Sequence, residues 1–132
     1  MKVGHDFTLT HRVIGLAIEV HRHLGPGLLE SAYEECLCCE LEQARIVHER
    51  QVSLPLIYKT VHIERMYRID IIVEQNLVLE IKSVEHVLPI HKATLLSYMR
   101  LLDVPLGLVL NFHEVKLVNG ISRLILPGAN QG

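Results

Sequence analysis

What this chain lacks bounds what it can be. No apolar run in its 132 residues approaches the length of a membrane span, and Arg12 and Glu19 interrupt the one N-terminal stretch that resembles a signal-peptide core. Both features predict a cytoplasmic protein with no membrane partner. Strong charge of one sign is also missing, since the formal net charge is −2 with nine histidines taken as neutral. Domains that coat nucleic acid without specificity are usually strongly basic, so that class is disfavoured, whereas a domain with only a local basic patch is not. Cysteine is scarce and clustered. Cys36, Cys38 and Cys39 are odd in number and set up no disulfide framework, and Cys-x-Cys-Cys within a helical pattern does not aim its thiols at one zinc ion. Cys36 is expected to be a small core residue. Internal repeats and low-complexity segments are absent. What is present is the composition of a packed globule, 49% hydrophobic and 21% charged, long enough to bury about two-thirds of its unfolded surface. One domain over residues 1–132 is expected, with 1–7 and 127–132 as tails. Assembly into a homo-oligomer is left open.

The chain is organised around Tyr67-Arg68-Ile69-Asp70-Ile71-Ile72-Val73, a polar break at Glu74-Gln75-Asn76, and Leu77-Val78-Leu79-Glu80-Ile81-Lys82. Two apolar runs about a short break predict a β-hairpin with both strands largely buried. Asp70, Glu80 and Lys82 interrupt these runs, with Arg68 near the start of the first. A buried charge is costly unless it is paired, hydrogen-bonded or bound to a metal, so the three inner charges need a reason. Glu80 and Lys82 are two apart and leave a strand from the same face. Asp70 faces Glu80 only if the loop has an odd number of residues. A three-residue loop, Glu74 to Asn76 with Asn76 left-handed, satisfies this; a two-residue loop at Gln75-Asn76 sets Asp70 opposite Ile81 and disperses the group. On spacing alone two readings stand side by side. One is a solvated sheet face on which Lys82 and Arg68 pair with the carboxylates. The other is a metal site, in which two hard carboxylates and a strand carbonyl suit Mg²⁺ and a nearby cation serves chemistry on a phosphate.

The remaining elements follow from period and punctuation. A helix is expected from Thr8 or Thr10, either of which could cap it, with Val13, Ile14, Ala17, Val20, His21 and Leu24 on its apolar face. Gly25-Pro26-Gly27 ends it in a sharp turn. A second helix carries Leu29, Ala32, Tyr33, Cys36, Leu37, Leu41 and Ala44 on its inner face. A strand starts near Val47, Pro55 marks it as an edge or bulged strand, and Lys59-Thr60 is a turn. Pro89 fits the first position of a helix whose core candidates are Leu95, Leu96, Met99 and Leu102. His91, Thr94 and Tyr98 form a second stripe along it. Leu106 to Phe112 reads as a central strand. Val115 to Val118, Asn119-Gly120 and Ile121 to Leu126 read as a hairpin. The order helix-helix-strands-helix-strands predicts an α/β domain, a mixed β-sheet with flanking helices.

Gly27-Leu28-Leu29-Glu30-Ser31-Ala32-Tyr33 fits the pattern G-x-x-E-x-x-Y. With Ile18-Glu19-Val20-His21, Glu49-Arg50-Gln51-Val52, Tyr67-Arg68-Ile69-Asp70, Leu79-Glu80-Ile81-Lys82 and Leu108-Val109-Leu110-Asn111-Phe112, the chain resembles the bacterial GxxExxY protein family. Asp70 with Glu80-x-Lys82 likewise resembles the PD-(D/E)xK nuclease superfamily, to which the GxxExxY family is assigned. The resemblance implies a restriction-endonuclease-like core and Mg²⁺- or Mn²⁺-dependent hydrolysis of a phosphodiester in nucleic acid, DNA before RNA. It implies Asp70, Glu80 and the Ile81 carbonyl as metal ligands, Lys82 as the catalytic lysine and Glu30 as a helix-borne carboxylate beside the metal or its waters. Tyr33, His91 and Tyr98 are auxiliary candidates, Tyr33 chiefly as a packing or hydrogen-bonding partner near Glu30. The chain departs from the pattern at Thr94, where the resemblance leads one to expect glutamine. Threonine is too short to replace an amide that reaches a phosphate or a water. The competing expectation is therefore a catalytically weakened nuclease-like domain that binds nucleic acid or a protein partner.

Overall fold

The computed structural model describes residues 7–128, apart from the side chains of residues 64–66. Of the expected tails 1–7 and 127–132, residues 1–6 and 129–132 lie outside the described residues, and Phe7 belongs to the first helix. Helix α1 spans Phe7–Leu24, α2 Glu30–Gln43 and α3 Pro89–Leu102. Strands β1 (His48–Tyr58), β2 (Val61–Val73), β3 (Leu77–Lys82), β4 (Leu106–Asn111) and β5 (Ile121–Ile125) form one mixed five-stranded sheet in the order β1-β2-β3-β4-β5. All neighbours run antiparallel except β3 and β4, which are parallel. That pair requires a crossover, and α3 supplies it. Helices cover both faces of the sheet, so β3 and β4 are buried almost throughout. This burial is why their sequences read as near-continuous apolar runs.

Two apolar layers result. Val13, Ala17, Val20, Tyr33, Leu37 and Leu41 of α1 and α2 pack on Ile71, Val73, Leu77, Leu79, Ile81, Leu108 and Leu110. On the other face Leu95 and Met99 of α3 pack on Ile69, Ile72, Val78 and Val109. Tyr33 stacks on Phe112 with ring centroids 4.5 Å apart. Its hydroxyl donates to the Gly25 carbonyl at 2.5 Å and accepts from the Leu28 N–H at 3.1 Å. The turn it clasps needs Gly25 at φ 68° and Gly27 at φ 99°, values that glycine adopts at little cost. One tyrosine therefore fixes where α2 begins.

Pro55 interrupts the edge strand β1 with a register shift between Leu54 and Leu56, Lys59-Thr60 turns the chain, and Pro89 opens α3. Several expectations need correction. Helix α1 is already running at Phe7, so Thr8 and Thr10 lie inside it and neither caps it. Leu29 is not an inner residue of α2; it is 77% exposed, at the N-cap. Cys38 is the buried cysteine and Cys36 is half-buried, because the buried positions of α2 fall at Tyr33, Glu34, Leu37, Cys38 and Leu41. In the three-residue turn before β3 the left-handed positions are Glu74 and Gln75, and Asn76 is not among them. The segment before Asn119-Gly120 is no strand. Leu117–Gly120 forms a 3-10 turn, Val115 and Val118 are 82% and 58% exposed, and β5 pairs with β4 instead. Gly120 is required for closeness: a Cβ there would lie 2.5 Å from the Asn111 carbonyl oxygen.

Candidate active site

Glu80 and Lys82 occupy β3 in alternation with Leu79 and Ile81, which face α1 and α2. They therefore project towards the α3 face. The β2–β3 ladder runs Val73↔Leu77, Ile72↔Val78, Ile71↔Leu79, and its continuation sets Asp70 opposite Glu80. The odd-numbered turn makes this register, as the parity of strands demands. Regular pairing stops at that point. The Ile81 N–H donates to Asp70 Oδ2 at 2.8 Å instead of to a strand carbonyl. Alternation also slips: Ile69 lies in the layer under α3 and Ile71, two residues on, in the layer under α1 and α2. On the other side of Asp70, Gln51 sits between the pairs Arg50↔Ile71 and Val52↔Ile69 with φ 53°, an uncommon conformation for a non-glycine residue. The sheet is locally distorted on both flanks of Asp70.

The electrostatics of the cluster are those of acids short of positive charge. Burial pushes the Glu80 carboxyl up to about 8, and the negative charge of Asp70 adds to this against the opposing pull of Lys82 and the Asp70 backbone N–H. Burial likewise pushes Asp70 up to about 6, opposed by the Ile81 N–H and by Lys82 and reinforced by Glu34 and Glu30. Glu80 Oε1 is buried with no hydrogen-bond partner among the described residues. Neither Lys82 nor Arg68 forms an ion pair with these acids; the ion pairs among the described residues fall on Glu19, Glu34 and Glu35. A solvated face neutralised by salt bridges therefore does not describe Glu80.

A buried oxygen without a donor is where a cation fits. The donors available are hard: the Asp70 and Glu80 carboxylates and the Ile81 carbonyl, which leaves the strand on the same side as the Ile81 N–H and so towards Asp70. Among the described residues no three His, Cys, Asp or Glu side chains converge as a preformed metal cluster, so a cation here would rely on two carboxylates and a backbone oxygen.

The other expected residues divide. Glu30, the first residue of α2, accepts from the Ser83 N–H at 3.1 Å, while Ser83 Oγ donates to the Leu28 carbonyl at 2.8 Å. These bonds tie the start of α2 to the chain just past Lys82, close enough for Glu30 to raise both acids. Tyr33 is buried and committed to the α1–α2 turn. His91 Nδ1 accepts from the Leu88 N–H at 2.9 Å and caps α3. Tyr98 faces the cluster: burial raises its hydroxyl, with Glu80, Tyr67 and Asp70 adding to the effect.

Two residues escaped the sequence reading. Glu34 is buried, and its Oε2 accepts from Arg50 Nε at 2.6 Å while Gln51 Nε2 lies 3.0 and 2.9 Å from its two oxygens. It thereby holds the distorted part of β1 next to Asp70. Its signal was its place four residues after Glu30, among the inner positions of α2. Asn111, also buried, accepts from the Val84 N–H at 3.1 Å and donates to the Val84 carbonyl at 2.9 Å, fixing the chain that leaves Lys82.

An aspartate on one strand and Glu-x-Lys on its antiparallel neighbour, in a mixed sheet with flanking helices, are the defining parts of a PD-(D/E)xK nuclease-like domain. The family model of the PD-(D/E)XK nuclease superfamily matches residues 7–124, and the chain belongs to that superfamily. Curated proteins and solved structures give no match. Membership implies a nuclease-like domain that binds nucleic acid, and nucleases of this superfamily generally use divalent metals. No described helix is long and apolar enough to cross a membrane.

Proposed function

We propose that this protein hydrolyses phosphodiester bonds of nucleic acid, DNA in the first instance, with Mg²⁺ or Mn²⁺ as cofactor. The observation that carries the reading is Glu80 Oε1, buried without a donor beside a second carboxylate. Asp70, Glu80 and the Ile81 carbonyl would hold the ion, and the Ile81 N–H keeps the Asp70 carboxylate in one orientation with Oδ2 engaged. A divalent cation so held supplies Lewis-acid activation of the phosphate and the attacking water. Lys82, on the same face and in no ion pair among the described residues, orients the water and stabilises charge gathering on the phosphate in the transition state. Glu30 acts from the side, through the Ser83 N–H and by its charge. The G-x-x-E-x-x-Y pattern supports placement in the GxxExxY family. The three unpaired cysteines suit the reducing cytoplasm of a bacterial cell.

Thr94 favours a second reading, a nuclease-like domain with weakened catalysis that still binds nucleic acid. It is half-buried on α3, four residues before Tyr98. Incubating the protein with single- and double-stranded DNA and RNA in Mg²⁺ or Mn²⁺, beside an Asp70→Ala control, tests both readings. Cleavage by the wild type alone supports the enzyme. Cleavage that persists in the control refutes it, and binding without cleavage leaves the second reading.

A further inference from the structure

Aromatic residues are few in this chain, four tyrosines and two phenylalanines with no tryptophan, so their placement is informative. Tyr33 and Phe112 are stacked in the core, and Tyr58 lies near the β1–β2 turn beneath Lys59. Tyr67 and Tyr98 meet each other, with ring centroids 6.4 Å apart and planes inclined at 52°. Tyr67 stands two residues before Ile69 on β2, hence on the α3 face, and three before Asp70; it is 43% exposed. Tyr98 packs at the margin of the apolar layer under α3, and its hydroxyl senses the Glu80 and Asp70 carboxylates. Thr94, one helical turn earlier, puts a short side chain on the same helix face where a long amide was expected. The rings therefore border the acids without a long polar side chain at that position.

The charge balance says what such a pair is for. At net charge −2 the chain as a whole does not attract a polyanion, so non-ionic contacts gain weight in nucleic-acid affinity beside whatever phosphate contacts local cations make. Stacking of a base on an aromatic ring is such a contact. Two rings at 52° cannot both lie flat on one base; one stacks while the other meets its edge. A base paired within a duplex has both faces covered by its neighbours and offers neither to a tyrosine. We propose that the site takes single-stranded or locally unpaired nucleic acid, with one base seated against the Tyr67–Tyr98 pair beside the carboxylates. The proposal rests on the nuclease reading above and adds to it the form of the substrate.

Fluorescence anisotropy in Ca²⁺ measures binding apart from cleavage. The probes are labelled oligonucleotides of about 12 nucleotides: single-stranded DNA, single-stranded RNA of the same sequence, and the DNA duplex. Wild type should bind single strands more tightly than the duplex; a preference for either sugar is consistent with the proposal. Tyr67→Leu and Tyr98→Leu should each weaken single-strand binding by about ten- to a hundredfold, whereas the corresponding phenylalanine variants retain it. Tyr67 is exposed, so its leucine variant tests the platform without opening the core, and thermal melting verifies that each variant is folded. Equal or tighter binding of the duplex, folded leucine variants with wild-type affinity, or no binding of any single strand would each overturn the proposal. Tyrosine-dependent single-strand binding without cleavage in Mn²⁺ would instead overturn the catalytic reading and leave this one standing.

Discussion

Replacing Glu80 by glutamine should stabilise the metal-free protein, and the gain should depend on pH. In the unfolded chain this carboxyl has its ordinary value of 4.5; in the fold, burial and then the charge of Asp70 hold it up to about 8. Between these values folding takes up a proton. The stability associated with Glu80 is fully present below pH 4.5 and is lost as pH rises towards 8. Each pH unit over which the folded and unfolded chains differ by one proton costs about 1.4 kcal/mol. From pH 4.5 to pH 7 Glu80 thus withdraws about 3 kcal/mol from the fold. Asp70, held up to about 6 by burial, acts in the same direction over the lower part of that window. The Glu80→Gln side chain keeps the shape of the protonated acid and removes the titration. At pH 7 in chelator it should raise stability by roughly 2–3 kcal/mol, on the order of 5–10 °C in Tm. The gain should shrink to nothing near pH 4.5. Adding Mn²⁺ should close the gap at a hundred times its Kd, where the ion stabilises wild type by about 2.7 kcal/mol, and reverse the ranking at a thousand times, about 4.1 kcal/mol, because the variant has lost a ligand. Denaturant titrations at pH 5, 6, 7 and 8, with chelator and with Mn²⁺, measure both effects. If Glu80→Gln is less stable than wild type at pH 7 without metal, Glu80 is an ionised, paired carboxylate and the argument for a cation site collapses.

Lys82→Ala should leave Mn²⁺ affinity intact or slightly tighter in calorimetry, since the ammonium opposes the ion, while slowing cleavage by about a hundred- to a thousandfold. A variant that instead melts far below wild type and binds no Mn²⁺ would reduce Lys82 to a salt-bridge partner. Glu34→Ala strips the carboxylate from Gln51 and from Arg50, whose side chain is 37% exposed and can be hydrated, and should cost about 1–3 kcal/mol by denaturant titration, unchanged stability showing the contact to be idle. Tyr33→Phe keeps the stacking on Phe112 but leaves the Leu28 N–H and Gly25 carbonyl without their partner. It should cost about 1–2 kcal/mol in thermal melts, and unchanged stability would mean that the turn holds itself.

The parts of the site that could be read in advance are those fixed by short-range geometry. A strand has period two, so Glu80 and Lys82 share a face whatever surrounds them, and a three-residue turn sets the register up to Ile71↔Leu79, whose continuation brings Asp70 to Glu80. Pro55 and Pro89 act within their own backbone, and their strand and helix positions follow from the missing N–H. The Asn119-Gly120 pair misled for the opposite reason. Its dipeptide fits a tight hairpin, but the glycine answers to a contact with Asn111, nine residues earlier, that no local pattern records.

Glu34 marks the same boundary inside the site. Helical spacing puts Glu30 and Glu34 on one side of α2, yet it does not say which carboxylate faces which partner. That is decided by the edge strand, where Gln51 takes a left-handed conformation and both it and Arg50 turn their side chains onto Glu34. The two acids consequently divide their work. Glu34 pairs with Arg50, braces β1 beside Asp70 and still raises that carboxyl, whereas Glu30 reaches the backbone behind Lys82 and acts on both Asp70 and Glu80. A chain in which only the exposed glutamate were present would keep its influence on Glu80 but lose both part of the field on Asp70 and the brace on Arg50 and Gln51 of β1. The G-x-x-E-x-x-Y pattern names Glu30 and Tyr33; Glu34, the next residue in sequence, completes the support.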